Sequence, residues 1–255
     1  MRIIDPKYLV AFSKLIAFDL AKQLEQNTSD QKKIPLDFRI KTSAVYSSNI
    51  EGNPIDVNSF LNSEVAKEAF KPQKEMDEVS DLVNSYQFAI VNDLSEANVL
   101  EAHRLLSSTL LIADKRGHYR TDRMGIYSNT GLVYLAVEPQ KVNSEMATFF
   151  ADVQSLLETD LSLAEVFYHA SLIHLKLAQI HPFMDGNGRT ARLVEKWFLA
   201  KKNWYKCLEG RIRTLLQASY GSVLPEHPLR NGLLFFELRG LCSFFAPTGI
   251  GSKTH

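Results

Sequence analysis

The sequence predicts a mainly α-helical fold with one short β-hairpin. Three observations carry that reading. Apolar residues recur at helical spacing through most of the chain up to Lys201. One window, residues 119–137, changes to β-branched and aromatic residues around Asn129-Thr130-Gly131, which is strand and turn chemistry. The stretch Leu161 to Ile180 is apolar almost all round, as expected of a helix surrounded by other helices.

The elements follow in order. Residues 6–26 place Leu9, Phe12, Leu15, Ile16 and Leu20 near one face of a first helix, and the polar residues 26–33 follow as a loop. Leu36 to Glu51 is a second helix, with Gly52 where a C-terminal cap stands. Asn58 or Ser59 caps a third, which runs to Phe70 before Pro72 stops it. A fourth spans Lys74 to Val91, and Ser95 caps a fifth that reaches Leu111. The hairpin then occupies 119–137 through Ile126, Leu132, Val133, Tyr134, Leu135 and Val137, and Pro139 ends it. Ser144 to Glu158 is helical, then 161–180, then Arg189 to Lys201, which buries Leu193, Val194, Trp197 and Phe198. Beyond Asn203, glycines, prolines and paired aromatics are scattered. Some helix is expected near Leu233 to Phe245, and Pro247 to His255 reads as a frayed tail.

Composition narrows the function. The chain has 255 residues, with 29 Lys plus Arg against 29 Asp plus Glu, a formal net charge of zero. That balance argues against a protein devoted to nucleic acid or an acidic membrane face. With 45% hydrophobic and 23% charged residues the chain reads as globular. Cys207 and Cys242 alone exclude a disulfide scaffold. No apolar run approaches the ~20 residues of a membrane span, and the N-terminal segment, interrupted by Asp5, Lys7, Lys14, Asp19 and Lys22, lacks the unbroken core and small-residue cleavage site of a signal peptide. A cytoplasmic protein is expected.

The chemistry concentrates in His181-Pro182-Phe183-Met184-Asp185-Gly186-Asn187-Gly188-Arg189-Thr190-Ala191-Arg192. This is a loop that opens a helix. Gly186 and Gly188 let the backbone turn and expose N–H groups, and N–H groups at a helix start attract anions. Arg189 and Arg192 lie three apart in the first turn, where cations are disfavoured by roughly 0.3–1 kcal/mol each. A bound polyphosphate would offset that. Asp185 beside a polyphosphate is suited to Mg²⁺, which takes one or two carboxylates plus phosphate oxygens. His181 can accept a proton near neutral pH. Gly186-x-Gly188-x-x-Ala191 imitates a dinucleotide fingerprint, but a helix rather than a strand precedes it, and there is no Gly-Lys-Ser/Thr phosphate loop.

The twelve residues resemble the signature of the Fic family, His-Pro-Phe-x-Asp-Gly-Asn-Gly-Arg-x-x-Arg, at all nine fixed positions. The resemblance extends outward. Gly117-His118-Tyr119-Arg120 looks like the lead-in to the family's substrate-docking flap, and His174 falls where many relatives carry a His. Ser47-Ser48-Asn49-Ile50-Glu51-Gly52 resembles the family's inhibitory motif, Ser/Thr-x-x-x-Glu-Gly/Asn. The resemblance implies a Fic-type helical bundle with a hairpin flap. Residues 1–73 would be an N-terminal region carrying the inhibitory motif at 47–52, residues 74–203 the catalytic core, and 204–255 a weakly defined C-terminal region.

The resemblance also implies an activity, protein adenylyltransfer. AMP would pass from ATP to a Tyr, Thr or Ser hydroxyl of a target protein. His181 would be the base and Asp185 the Mg²⁺ ligand. Gly186, Asn187, Gly188, Arg189, Thr190, Ala191 and Arg192 would hold the nucleotide, with the Asn187 side chain in the cradle, Arg189 near the β-phosphate and Arg192 on the γ-phosphate. Phe183 would anchor the loop in the core. Glu51 and Ser47 would be the inhibitory residues, and if the upstream helix packs beside the phosphate site Glu51 would pair with Arg192. The target would dock on the 119–137 hairpin, and self-modification and a homo-oligomer are compatible with the resemblance; no nucleic acid or membrane partner is implied. Other members remove AMP or transfer phosphocholine, UMP or phosphate. Gly188 stands where the phosphate-transferring branch has Lys. A non-catalytic nucleotide-binding module is the alternative of a different class.

Overall fold

The computed structural model describes residues 2–14, 35–66, 73–128 and 131–202. Besides the helical residues 9–14 and a 3-10 turn at Ala113–Lys115, seven α-helices and one hairpin are seen among them: α1 (Leu36–Ile50), α2 (Val57–Ala66), α3 (Gln73–Val91), α4 (Glu96–Leu106), β1 (Gly125–Ser128), β2 (Gly131–Leu135), α5 (Pro139–Glu158), α6 (Leu163–Ile180) and α7 (Asn187–Lys201). The mainly helical expectation is met.

Helix α6 forms the centre with α7. Val166, Ala170, Ile173, Leu177 and Ile180 of α6 and Ala191, Val194 and Phe198 of α7 are all buried. α1 and α4 pack on α3, and α5 packs on α6. Trp197 ties α7 to α3 through an edge-on contact with Phe88 and a 3.1 Å hydrogen bond from its indole N–H to Asn92 O. The N-terminal segment is fastened to the same core. Residues 9–14 are helical, Ile3 is buried, Phe12 meets Tyr168 edge-on, and the Arg2 guanidinium pairs with Asp152 on α5. Residues 15–34, where the rest of the expected first helix falls, lie outside the described residues, as do 67–72, the hairpin turn 129–130 and everything after 202, including the helix expected near 233–245.

Helix ends follow their caps. Gly52 takes a left-handed φ of 91°. Its N–H bonds Asn49 O, and the Asn53 N–H bonds Ser48 O, a Schellman closure of α1. Ser95 caps α4 as expected, and Ser162 with Glu165 forms a reciprocal capping box on α6.

Four boundaries differ from expectation. The α2 cap is Asp56, whose carboxylate accepts the Ser59 N–H at 2.9 Å, two residues before the expected Asn58 and three before Ser59. α4 stops at Leu106 rather than Leu111, because the Ser107 hydroxyl turns back onto His103 O and the Thr109 N–H leaves for Asp81. Pro139 opens α5 as its first residue, where its fixed φ suits a helix start and its missing N–H costs nothing, so α5 begins before Ser144. α7 starts at Asn187, two residues before Arg189. β1 and β2 pair antiparallel, Gly125 with Leu135 and Ser128 with Gly131, with a bulge between Ile126 and Tyr127.

Candidate active site

The signature loop joins α6 to α7. α6 ends on His181, which closes the helix in the left-handed region at φ 53°, ψ 59°; among the described residues it is the one non-glycine with positive φ. A side chain held there costs on the order of 1–3 kcal/mol and persists only where neighbours impose it. Arg120 imposes it. Its Nε donates to His181 O at 2.6 Å, its Nη2 to Ile180 O and Val137 O, its Nη1 to Asp122 O, and its backbone N–H to Pro182 O. One buried guanidinium therefore joins the loop to both ends of the hairpin. Burial holds the His181 imidazole below its usual value, the Arg120 guanidinium adds to that, and a hydrogen bond to Ala178 O together with the Asp185 and Glu51 charges opposes it. The ring is thus neutral and basic around neutral pH.

Phe183 anchors the loop as expected. It is buried and stacks on the His103 ring at 3.7 Å between centroids. The Asn187 side chain closes the loop on itself, accepting the Phe183 N–H and donating to Phe183 O, both at 2.9 Å. It is buried in that task and does not project as a phosphate ligand. Asp185 has an exposed residue position, and its Oδ1 accepts the Gly186 N–H at 2.6 Å, so that N–H is engaged within the loop. No side chain caps the start of α7, which leaves its leading N–H groups for an acceptor from outside the helix.

The two glycines serve different ends. Gly186 needs its φ of 75°. Gly188 is helical, and its lack of a side chain leaves room for the Glu51 carboxylate: a Cβ there would collide with that carboxylate, the end of a flexible side chain, and stand 3.1 Å from Arg192 Nη1. The expectation that both relieve a sharp turn holds for Gly186 alone.

The arginines diverge. Arg192 is buried; its Nε donates to Ser47 Oγ at 2.8 Å, and its Nη2 to Ser47 O at 2.9 Å and Glu51 Oε1 at 2.7 Å. Arg189 reaches instead to Glu78 on α3, 3.2 Å away, and its buried Nε and Nη1 have no hydrogen-bond partner among the described residues. Thr190 Oγ1 returns to Gly186 O and Ala191 lies in the apolar core, so these two side chains build the helix rather than face a ligand. His174 is buried beneath, its Nδ1 2.6 Å from Glu195 Oε2.

Sequence reasoning missed His103 and Glu78, and it read Arg120 only as part of a flap lead-in. His103 carries no local signal, being one histidine on an apolar helix face. Burial holds its imidazole down to about 4. Its partners are far away in sequence: Gly117 N–H on Nδ1 at 2.9 Å and Asp185 O on Nε2 at 3.0 Å.

Residues 93–199 match the family model of the Fic/DOC family. The chain carries a Fic domain. It is 27% identical over 200 residues to Protein adenylyltransferase Fic of Nematostella vectensis, an overlap of 71% of this chain and 44% of that protein. It is 32% identical over 106 residues to Protein adenylyltransferase fic-1 of Caenorhabditis briggsae, 40% of this chain and 18% of that one. The chain thus spans less than half the length of these curated relatives. In fold it resembles a solved Fic family protein from Desulfovibrio desulfuricans, with a TM-score of 0.62, 24% identity and 94% of this chain covering 73% of that one. It likewise resembles Fic-1 of C. elegans, with a TM-score of 0.62, 18% identity and 94% of this chain covering 72% of that one. Glu51 and Ser47 lie outside the matched residues 93–199. Among the described residues no helix is long and apolar enough to cross a membrane, and no group of three or more His, Cys, Asp and Glu is arranged to hold a metal.

Proposed function

We propose that the protein is a protein adenylyltransferase that moves AMP from ATP to a Tyr, Thr or Ser hydroxyl of a target protein and is held back by Glu51. The observation that carries this is the loop itself. A basic imidazole at His181, an accessible carboxylate at Asp185 and the uncapped start of α7 follow one another within seven residues.

The His181 imidazole takes the proton of the attacking hydroxyl. The hydroxyl oxygen bonds to the α-phosphorus of ATP, the bond to the bridging oxygen breaks, and pyrophosphate leaves. The leading N–H groups of α7 would receive the phosphates, and the buried Arg189 guanidinium, with two nitrogens unpartnered among the described residues, would add positive charge behind them and stabilise the charge that develops. Arg192 serves the γ-phosphate once Glu51 releases it. Asp185 fits Mg²⁺: its single exposed carboxylate would give a hard oxygen ligand, as that ion takes alongside phosphate oxygens. Bound there, the ion supplies charge neutralisation on the phosphates.

The hairpin offers free backbone edges to an extended target segment, which gives affinity with little demand on side chains. Residues 74–203 act as the catalytic core and 1–73 as its regulatory part. A second reading, removal of AMP by water that Glu51 deprotonates, is favoured by one observation: the Glu51 carboxylate is 38% exposed while held by Arg192 at the same loop.

Labelled-AMP transfer to lysate proteins, followed by mass spectrometry of the modified bands, tests the proposal. His181→Ala and Asp185→Ala proteins that fold normally are expected to lose transfer, by ~10²–10⁴ for the base. Undiminished transfer by His181→Ala overturns it.

A further inference from the structure

We infer that His103 is a positioning residue for Asp185, an assignment that rests on the adenylyltransferase reading. The inference comes from how one peptide unit is held. The plane between Asp185 and Gly186 is gripped on both sides: its carbonyl accepts the His103 Nε2–H at 3.0 Å, and its N–H donates to Asp185 Oδ1 at 2.6 Å. A peptide is rigid. Fixing the carbonyl therefore fixes the direction of the N–H, and with it the carboxylate that the N–H holds.

His103 is itself fixed on every side. Its Nδ1 accepts the Gly117 N–H at 2.9 Å, which places the ring proton on Nε2, aimed at Asp185. One face stacks on Phe183 at 3.7 Å. The ring also backs Gly186, where an added Cβ would meet Nε2 at 3.5 Å. Apolar packing alone would leave both the Gly117 N–H and the Asp185 carbonyl without these partners. An imidazole matches the two bonds and the stack at once, and it links the lead-in to the hairpin with the carboxylate expected to hold the metal.

Three variants in the full chain carrying Glu51→Gly separate these contacts. His103→Gln sets its amide nitrogen where Nε2 stands and keeps the donor to Asp185 O. His103→Asn sets its amide where Nδ1 stands and reaches Gly117 alone. His103→Phe keeps the stack and neither bond. The first readout is amide hydrogen exchange at Gly186 in the ATP-free protein. The second is the Mg²⁺ concentration giving half-maximal ATP binding by titration calorimetry.

His103→Asn and His103→Phe are expected to speed exchange and raise the Mg²⁺ requirement by about 10-fold, with His103→Gln within roughly threefold of the parent on both. Equal impairment of Gln and Asn, a normal Phe variant, or faster exchange with an unchanged Mg²⁺ requirement overturns the assignment. So does failure of both amide variants to fold, which would make His103 structural only. A parent that transfers no labelled AMP refutes the adenylyltransferase reading, while Gly186 exchange still decides whether His103 holds the Asp185–Gly186 peptide.

Discussion

Glu51 Oε1 accepts a hydrogen bond from Arg192 Nη2 at 2.7 Å, and the two partners differ sharply in burial, Arg192 at 2% exposed and Glu51 at 38%. The guanidinium is an interior group and the carboxylate a capping one. Arg192 keeps two further bonds, both to Ser47, so the arginine stays organised without Glu51. The Schellman closure at Gly52 ends α1 through backbone bonds that do not involve the Glu51 side chain. Glu51 can therefore be removed from a site that remains built.

That separation gives the first prediction. Glu51→Gly is expected to raise AMP incorporation above wild type, because the guanidinium becomes available to the γ-phosphate. Glu51→Gly/Arg192→Ala is expected to fall back, since in the proposed mechanism one guanidinium would serve both states. Labelled-AMP incorporation at equal protein concentration checks it. If Glu51→Gly incorporates no more label than wild type, the inhibitory role of Glu51 is refuted.

Ser47→Ala tests the other side of Arg192. It deletes the acceptor of Arg192 Nε but leaves the Ser47 carbonyl and Glu51 in place. Losing the partner of a buried charged donor costs roughly 1–3 kcal/mol, so a lower melting temperature is expected. Because Glu51 still holds Nη2, incorporation should stay below that of Glu51→Gly. A Ser47→Ala protein as active as Glu51→Gly would show that Ser47, rather than Glu51, maintains the inhibited state.

The legible part of this molecule is local. The helical repeat, the Ser95 cap, the Gly52 closure and the hairpin window are short-range patterns, and the structure contains them. The signature loop was equally legible because its residues are contiguous. Most of what escaped depends on distant partners. Pro139 reads as a stop until its place at the first position of α5 is seen. Asn187 reads as a phosphate ligand until its amide is found closing on Phe183. Gly188 reads as a turn residue until the Glu51 carboxylate, 137 positions earlier in the chain, is found to fill the space beside it. His103 and Arg120 act across 82 and 61 positions, which no periodicity reports.

Arg120 supports the third prediction. Its planar fork reaches four carbonyls that belong to the loop and the hairpin. A Lys ammonium has three donors at a single point and cannot span them. Arg120→Lys is expected to lower stability by about 2 kcal/mol through unpaired carbonyls. It should also slow transfer by up to ~10²-fold through misplacement of His181. Circular dichroism melts and transfer rates below the melting range check the two effects. A variant with a wild-type rate would show that the left-handed turn at His181 holds without the fork.

The last prediction concerns pH. Burial and Arg120 hold the His181 imidazole below its ordinary 6.5. In the folded protein the neutral form therefore persists to lower pH than in the unfolded chain. The sign for stability follows. Above 6.5 both states are deprotonated and the contribution is fully present; as pH falls below 6.5 the unfolded chain takes up the proton first, and the contribution is lost as pH falls through the folded value. The sign for activity is the same, since only the neutral ring accepts a proton from the target hydroxyl. In the Glu51→Gly protein, kcat/KM for AMP transfer should stay flat from pH 8 to 7 and fall on an acid limb whose midpoint lies below 6.5. Asp185 and Glu51 both pull the ring upward, so restoring Glu51 should move the midpoint toward higher pH while lowering the plateau. A limb centred above 7 would mean that the ring is held protonated, and His181 would then not be the base.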